Sequence, residues 1–143
     1  MPDVKVFVDT NVLVYAYDVS AGAKHETAVK IMLDLWNTGC GVVSMQVLQE
    51  FFVNVTGKIA KPLDVLTARE IVRDLLKWNP VLINGDLLVD AIDIHAAHKH
   101  SFWDSLIIAA AIEAGADTLI SEDLSDRLRI KSLVIKNPFK QRR

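Results

Sequence analysis

Cysteine is nearly absent from this sequence: Cys40 stands alone in 143 residues. A lone thiol closes no disulfide within the chain, which excludes a small disulfide-braced scaffold and makes the reducing cytoplasm the default expectation. Long apolar runs are missing too. The longest, Leu106 to Ile112, falls far short of the ~20 residues that span a bilayer, although 51% of the residues are hydrophobic. The opening "MPDVKVFVD" lacks a basic segment followed by a cleavable apolar stretch, so no signal peptide is expected. Proline and glycine are scarce, at four and six residues. No repeat, low-complexity segment or linker breaks the chain, and one domain over residues 1–143 is predicted. Nor does one sign of charge dominate, with 16 basic against 18 acidic residues and a net charge of −2. Their distribution is uneven. From Arg127 onward there is no Asp or Glu, while Arg127, Arg129, Lys131, Lys136, Lys140, Arg142 and Arg143 are all cationic. Such an end can hold a polyanion or serve simply as a solvated tail.

What is present alternates. Val4, Val6 and Val8 share one face of a short strand, and an apolar turn or two follows from Asn11 to Tyr17. Residues 24–38 place Ala28, Ile31, Met32, Leu35 and Trp36 at helical spacing before "TGCG" ends the pattern. "GVVS" reads as the next strand, with Ser44 capping a helix over 45–60 whose stripe is Leu48, Phe51, Phe52, Val55 and Ile59. A further helix is predicted over 64–78, then a strand "VLI" after Pro80, then a helix over 86–99 entered from Asn84-Gly85. "SFWDSLIIAAAIEAG" is a capped, nearly all-apolar helix ending at Gly115, "TLIS" a strand, and "SLVIK" the last strand. Strands alternating with helices imply crossover connections, and hence an α/β, three-layer α/β/α fold around a mostly parallel sheet.

In such sheets ligands bind beyond the carboxyl ends of the strands, and this sequence puts acids there. Asp9 follows "VKVFV", Asp123 follows "TLIS" by two residues, Glu50 lies in the second turn of the helix entered from "GVVS", and Asp104 opens the buried helix. Each has a plain alternative. Asp9 can cap the short helix after it. Glu50 falls in a polar stripe with Gln46 and Asn54, as on any solvated helix face. Asp104 stands three residues after Ser101, as in a capping box, and complements the helix dipole. Asp123 belongs to the polar turn "SEDLSD". Four caps have no reason to share one end of a sheet, whereas a metal site built from distant segments requires it. Unneutralised carboxylates in a cluster repel and raise one another's pKa values, and hard oxygen donors suit Mg²⁺ or Mn²⁺. With those four set aside, fourteen acids face sixteen basic residues, a mildly basic remainder suited to a phosphodiester substrate.

Four segments, "FVDTNVLVY", "VSMQVLQEFF", "SFWDSLIIAAAIEAGADTLISED" and "LVIKNPF", together resemble the PIN-domain ribonucleases, close to the VapC toxins of toxin–antitoxin pairs. The likeness runs from residue 4 to residue 139. It implies a sheet of about five parallel strands and metal-dependent endonucleolytic cleavage of RNA, leaving a 5′-phosphate and a 3′-hydroxyl. By carry-over, Asp9 and Asp104 are direct ligands of Mg²⁺ or Mn²⁺, Glu50 a ligand or the group that orients the attacking water, and Asp123 a ligand directly or through water. Thr10, Asn11 and Ser121 support them. Glu122 and Asp126 compete with Asp123 for the fourth position, Asp126 ranking next and otherwise standing in support. A homodimer and an antitoxin partner are implied, an antitoxin helix lying between the helices over 45–60 and 64–78; a housekeeping nuclease is the other role open to it. Two further likenesses are incomplete. His95, His98 and His100 in "HAAHKH" superficially resemble a zinc site but lack a completing ligand, and "FVDTN" resembles the haloacid-dehalogenase nucleophile motif but has Asn11 where an acid belongs. A non-catalytic module that binds RNA or protein through the same acidic pocket is the alternative from a different class, and the presence of all four acids favours catalysis.

Overall fold

The computed structural model describes residues 4–140. Five short strands form one sheet in the order β2-β1-β3-β5-β4: β1 Val6–Val8, β2 Gly41–Val42, β3 Thr118–Ile120, β4 Arg129–Ile130 and β5 Leu133–Lys136. β1 pairs in parallel with β2 and β3, and β3 with β5, while β4 pairs antiparallel with β5. The flanking helices are α1 Thr10–Tyr15, α2 Ala23–Thr38, α3 Met45–Gly57, α4 Val65–Leu75, α5 Gly85–Ala97 and α6 Phe102–Glu113. None is long and apolar enough to cross a membrane.

Sequence chemistry accounts for the element ends. Ser44, Asp64, Asn84 and Ser101 each accept, through a side-chain oxygen, a backbone N–H in the first turn of α3, α4, α5 and α6, satisfying donors that a helix start leaves open. Gly39 ends α2 at φ 74, a left-handed conformation that costs glycine little. The α6 helix is buried from Ser105 through Ala111, which explains why its apolar residues surround it instead of forming a stripe. Phe7, Val8, Leu119 and Ile135 from the central strands are fully buried beside it.

Two expectations change. "VLI" is not a sheet strand: Pro80 has no N–H to give, and Val81 makes one parallel bridge to Ser44 before Asn84 opens α5. Leu82 and Ile83 stay exposed. Conversely, β4 is a strand that no periodicity in the sequence marks. It pairs Arg129 with Val134 and Ile130 with Leu133, across a tight turn in which Lys131 adopts φ 54. Helix ends also shift, α3 closing at Gly57 and α4 passing into a 3₁₀ turn, Leu76–Trp78. Of the basic C-terminal residues, Arg142 and Arg143 lie outside the described residues.

Candidate active site

Strand β1 ends at Val8, so Asp9 emerges at the carboxyl edge of the sheet, where its N–H still pairs with Ile120 O at 3.0 Å. Its two carboxylate oxygens do different things. Oδ1 accepts from Thr10 N at 2.7 Å, capping α1, and Oδ2 accepts from the Ser121 hydroxyl at 2.6 Å. The cap expected of Asp9 thus occupies one carboxylate oxygen, and Ser121 holds the other. Burial pushes its pKa up to about 6; hydrogen bonds from Ser121 and Thr10 oppose the rise, and the charges of Glu50 and Asp104 add to it.

Asn11, in the first turn of α1, ties the two central strands together. Its Nδ2 donates to Asp123 Oδ2 at 3.0 Å and lies 3.5 Å from Asp9 Oδ2, while its Oδ1 accepts from Glu122 N at 3.1 Å. Thr10 serves the neighbouring helix, its hydroxyl donating to Glu50 Oε1 at 2.6 Å. Asp104, in the first turn of α6, accepts no hydrogen bond through its carboxylate and joins no ion pair among the described residues; its N–H donates to Ser101 Oγ at 3.1 Å. The capping-box reading of Asp104 is thus only half met, because the reciprocal bond from its carboxylate is absent among the described residues.

Asp9, Glu50, Asp104 and Asp123 line one open cavity of about 650 Å³, together with Thr10 and Asn11. Ser121 lies just beneath it, fully buried. The turn after β3 separates its three acids. Asp123 faces the cavity. Glu122 turns to the outer side, accepting from Tyr15 OH at 2.6 Å and pairing with Lys24; burial alone would raise its pKa, but Lys24 and Tyr15 outweigh it and hold it low. Asp126 accepts from Asn137 N at 2.8 Å, and Phe139 of "NPF" packs edge-on against Tyr15 with centroids 5.1 Å apart.

Gln46, on the polar stripe of α3, is not a solvated side chain. It is 6% exposed, donates to Trp103 O at 3.3 Å and approaches Glu50 Oε2 at 3.5 Å, and its Oε1 is buried without a partner among the described residues. An orphaned acceptor beside carboxylates calls for a donor such as water. Its position four residues before Glu50 was the available signal.

Could this donor set hold a divalent cation? Among the described residues no three His, Cys, Asp or Glu side chains lie close enough to form a ready ligand cage. The chemistry nevertheless fits a hard, hydrated ion. All four acids offer oxygen, the Asp104 carboxylate has no hydrogen-bond or ion-pair partner among the described residues, and Mg²⁺ keeps several of its waters while taking one or two carboxylates directly.

The sequence profile of the PIN domain matches residues 6–128. No curated protein matches the chain. Among solved structures, the fold resembles a toxin–antitoxin complex from Klebsiella pneumoniae (18% identity over 96% of this chain and 100% of that one, TM-score 0.67). It also resembles VapC20 of Mycobacterium tuberculosis, a Sarcin-Ricin loop cleaving toxin (19% identity, 80% and 87% covered, TM-score 0.60). A third likeness is to VapBC2 from Rickettsia felis bound to a DNA fragment from its promoter (19% identity, 92% and 97% covered, TM-score 0.59).

Proposed function

The chain belongs to the PIN domain family, and from that premise we propose that it is a Mg²⁺- or Mn²⁺-dependent endoribonuclease, the toxin of a toxin–antitoxin pair. The observation that carries this reading is the meeting of Asp9, Glu50, Asp104 and Asp123, drawn from four segments of the chain, on the wall of one cavity. Asp9 and Asp104 would hold the ion directly, with Glu50 and Asp123 completing the site directly or through water. When bound, such an ion supplies Lewis acidity, acidifying water and neutralising charge on the scissile phosphate.

The chain's own residues supply the rest. Thr10 fixes Glu50 through Oε1, leaving Oε2, which Gln46 approaches at a long 3.5 Å, to orient a water and take its proton. Ser121 and Thr10 hold Asp9 in one orientation, and Asn11 holds Asp123 relative to it. A charge kept on buried Asp9 is costly alone, so a cation beside it offsets what burial disfavours.

A partner site of different character supports the toxin role. Met45, Leu48, Phe52 and Val72 line an almost wholly apolar groove of about 430 Å³ between α3 and α4, which suits an amphipathic antitoxin helix. Self-association into a homodimer and a cytoplasmic location belong to the same proposal. The test is cleavage of mixed cellular RNAs with and without divalent ions, comparing the wild type with Asp9→Asn and Asp104→Asn. Metal-dependent cutting that both substitutions abolish supports the reading; metal-independent cutting, or cutting that survives both, refutes it.

A further inference from the structure

Two of the three tryptophans are explained by packing. Trp36 and Trp78 lie ring to ring at 5.0 Å, and Trp78 covers Gly41 so closely that a Cβ there would collide with its ring. Trp103 differs. It is 63% exposed, meets only the edge of Phe102 among aromatic rings of the described residues, and directly precedes Asp104 on the cavity wall. Its carbonyl oxygen accepts from Gln46, so the backbone is anchored while the indole remains at the mouth.

The cavity also extends further than four carboxylates require. It follows α3 along Gln46, Glu50, Val53 and Asn54 and continues to Lys58, just past the helix end. Lys58 is exposed and joins none of the ion pairs among the described residues. At 1.5 Å per residue it stands about 12 Å along the axis from Glu50, too far to share a phosphate with the carboxylates. Trp103 marks the Gln46 end. The cavity thus runs from a flat apolar ring, through the acids, to a cation outside those ion pairs. The carboxylates themselves repel a polyanion, so contacts away from the ion and the acids are needed to seat the rest of one.

We propose that Trp103 and Lys58 are substrate-positioning residues at the two ends of this cavity, which make it a track for the RNA strand along α3. One base next to the scissile phosphate stacks on the Trp103 indole, and a neighbouring phosphate pairs with Lys58. The inference rests on the nuclease reading and deepens it by naming the two side chains that position the strand on either side of the acids; a base held inside a duplex is not free to stack on such a ring.

Binding tests this without requiring turnover. In an Asp9→Asn background with Mg²⁺, a short labelled single-stranded RNA should quench tryptophan emission and bind more tightly than its own duplex. Adding Trp103→Ala should weaken single-strand binding roughly 5- to 100-fold. Trp103→Phe should keep affinity within about threefold while removing the quench. Lys58→Ala should weaken binding and lower the slope of log affinity against log salt by about one. Unchanged affinity in Trp103→Ala, or a quench that persists in Trp103→Phe, overturns the proposal. Altered self-association in Trp103→Ala with unchanged RNA affinity overturns it too, by assigning the ring to a protein contact. The two readings fail separately. If the wild type cuts no RNA but single-strand binding depends on Trp103, the nuclease reading falls and the track stands. If Trp103→Ala cuts the same RNAs with unchanged KM, the track falls and the nuclease stands.

Discussion

Helix α3 borders two cavities of opposite chemistry. On one side Gln46, Glu50 and Asn54 face a carboxylate-lined cleft; on the other Met45, Leu48 and Phe52 face a groove with almost no polar lining. Gln49 and Val53 form the ridge between them. One helix therefore serves a site that needs charge held in a fixed arrangement and a surface that offers only apolar area. The contrast teaches that the polar stripe of an amphipathic helix is not solvated surface by default. Burial of Gln46 under the start of α6 makes part of that stripe interior.

Substitutions on the two sides should have separable consequences. The largest effect belongs to the cleft: Asp104→Asn should reduce RNA cleavage roughly a thousandfold while leaving partner affinity unchanged in a pull-down. Loss of partner binding as well would break the distinction.

Next comes pH. Asp9 titrates at about 6 in the fold against 3.8 as a free side chain, so the folded state binds its proton more tightly than the unfolded chain. The stability of the ion-free protein should therefore fall as pH rises from about 4 to about 6 and level off above, by ~3 kcal/mol in all. Asp9→Asn should flatten that slope in urea titrations, and a divalent ion should counter it. On the groove side, Met45→Lys should weaken partner binding roughly 30-fold with cleavage of RNA unchanged. The smallest effect tests the link at the rim of the cleft. Thr10→Val removes the hydroxyl that holds Glu50 and should slow cleavage about tenfold, equivalent to the ~1.4 kcal/mol of one charge-assisted hydrogen bond, with little change in thermal stability.

The fold could be read from the sequence wherever local chemistry and tertiary packing agree. Helical spacing over residues 24–38 and the cap at Ser44 mark elements that exist. Failures came where pairing is non-local. The β4–β5 hairpin turns through Lys131 and Ser132, without the Asn-Gly or Asp-Gly that usually signals such a turn. "VLI" has strand composition, but its position after Pro80 leaves it a single bridge. For the candidate site, the order of the acids and the rule that ligands sit beyond strand ends were enough to nominate Asp9, Glu50, Asp104 and Asp123. Nothing in "SEDLSD" distinguishes its acids; the fold puts Asp123 on the cavity wall and gives Glu122 and Asp126 to Lys24, Tyr15 and Asn137. The buried role of Gln46 and the exposed ring of Trp103 had no local signature either, since both depend on how α6 meets α3.

Calorimetric titration of Mn²⁺ into metal-free protein addresses the shared-cation claim most directly. The predicted result is saturable binding in the wild type that Asp9→Asn with Asp104→Asn eliminates. Equal binding by the wild type and the double variant would contradict it.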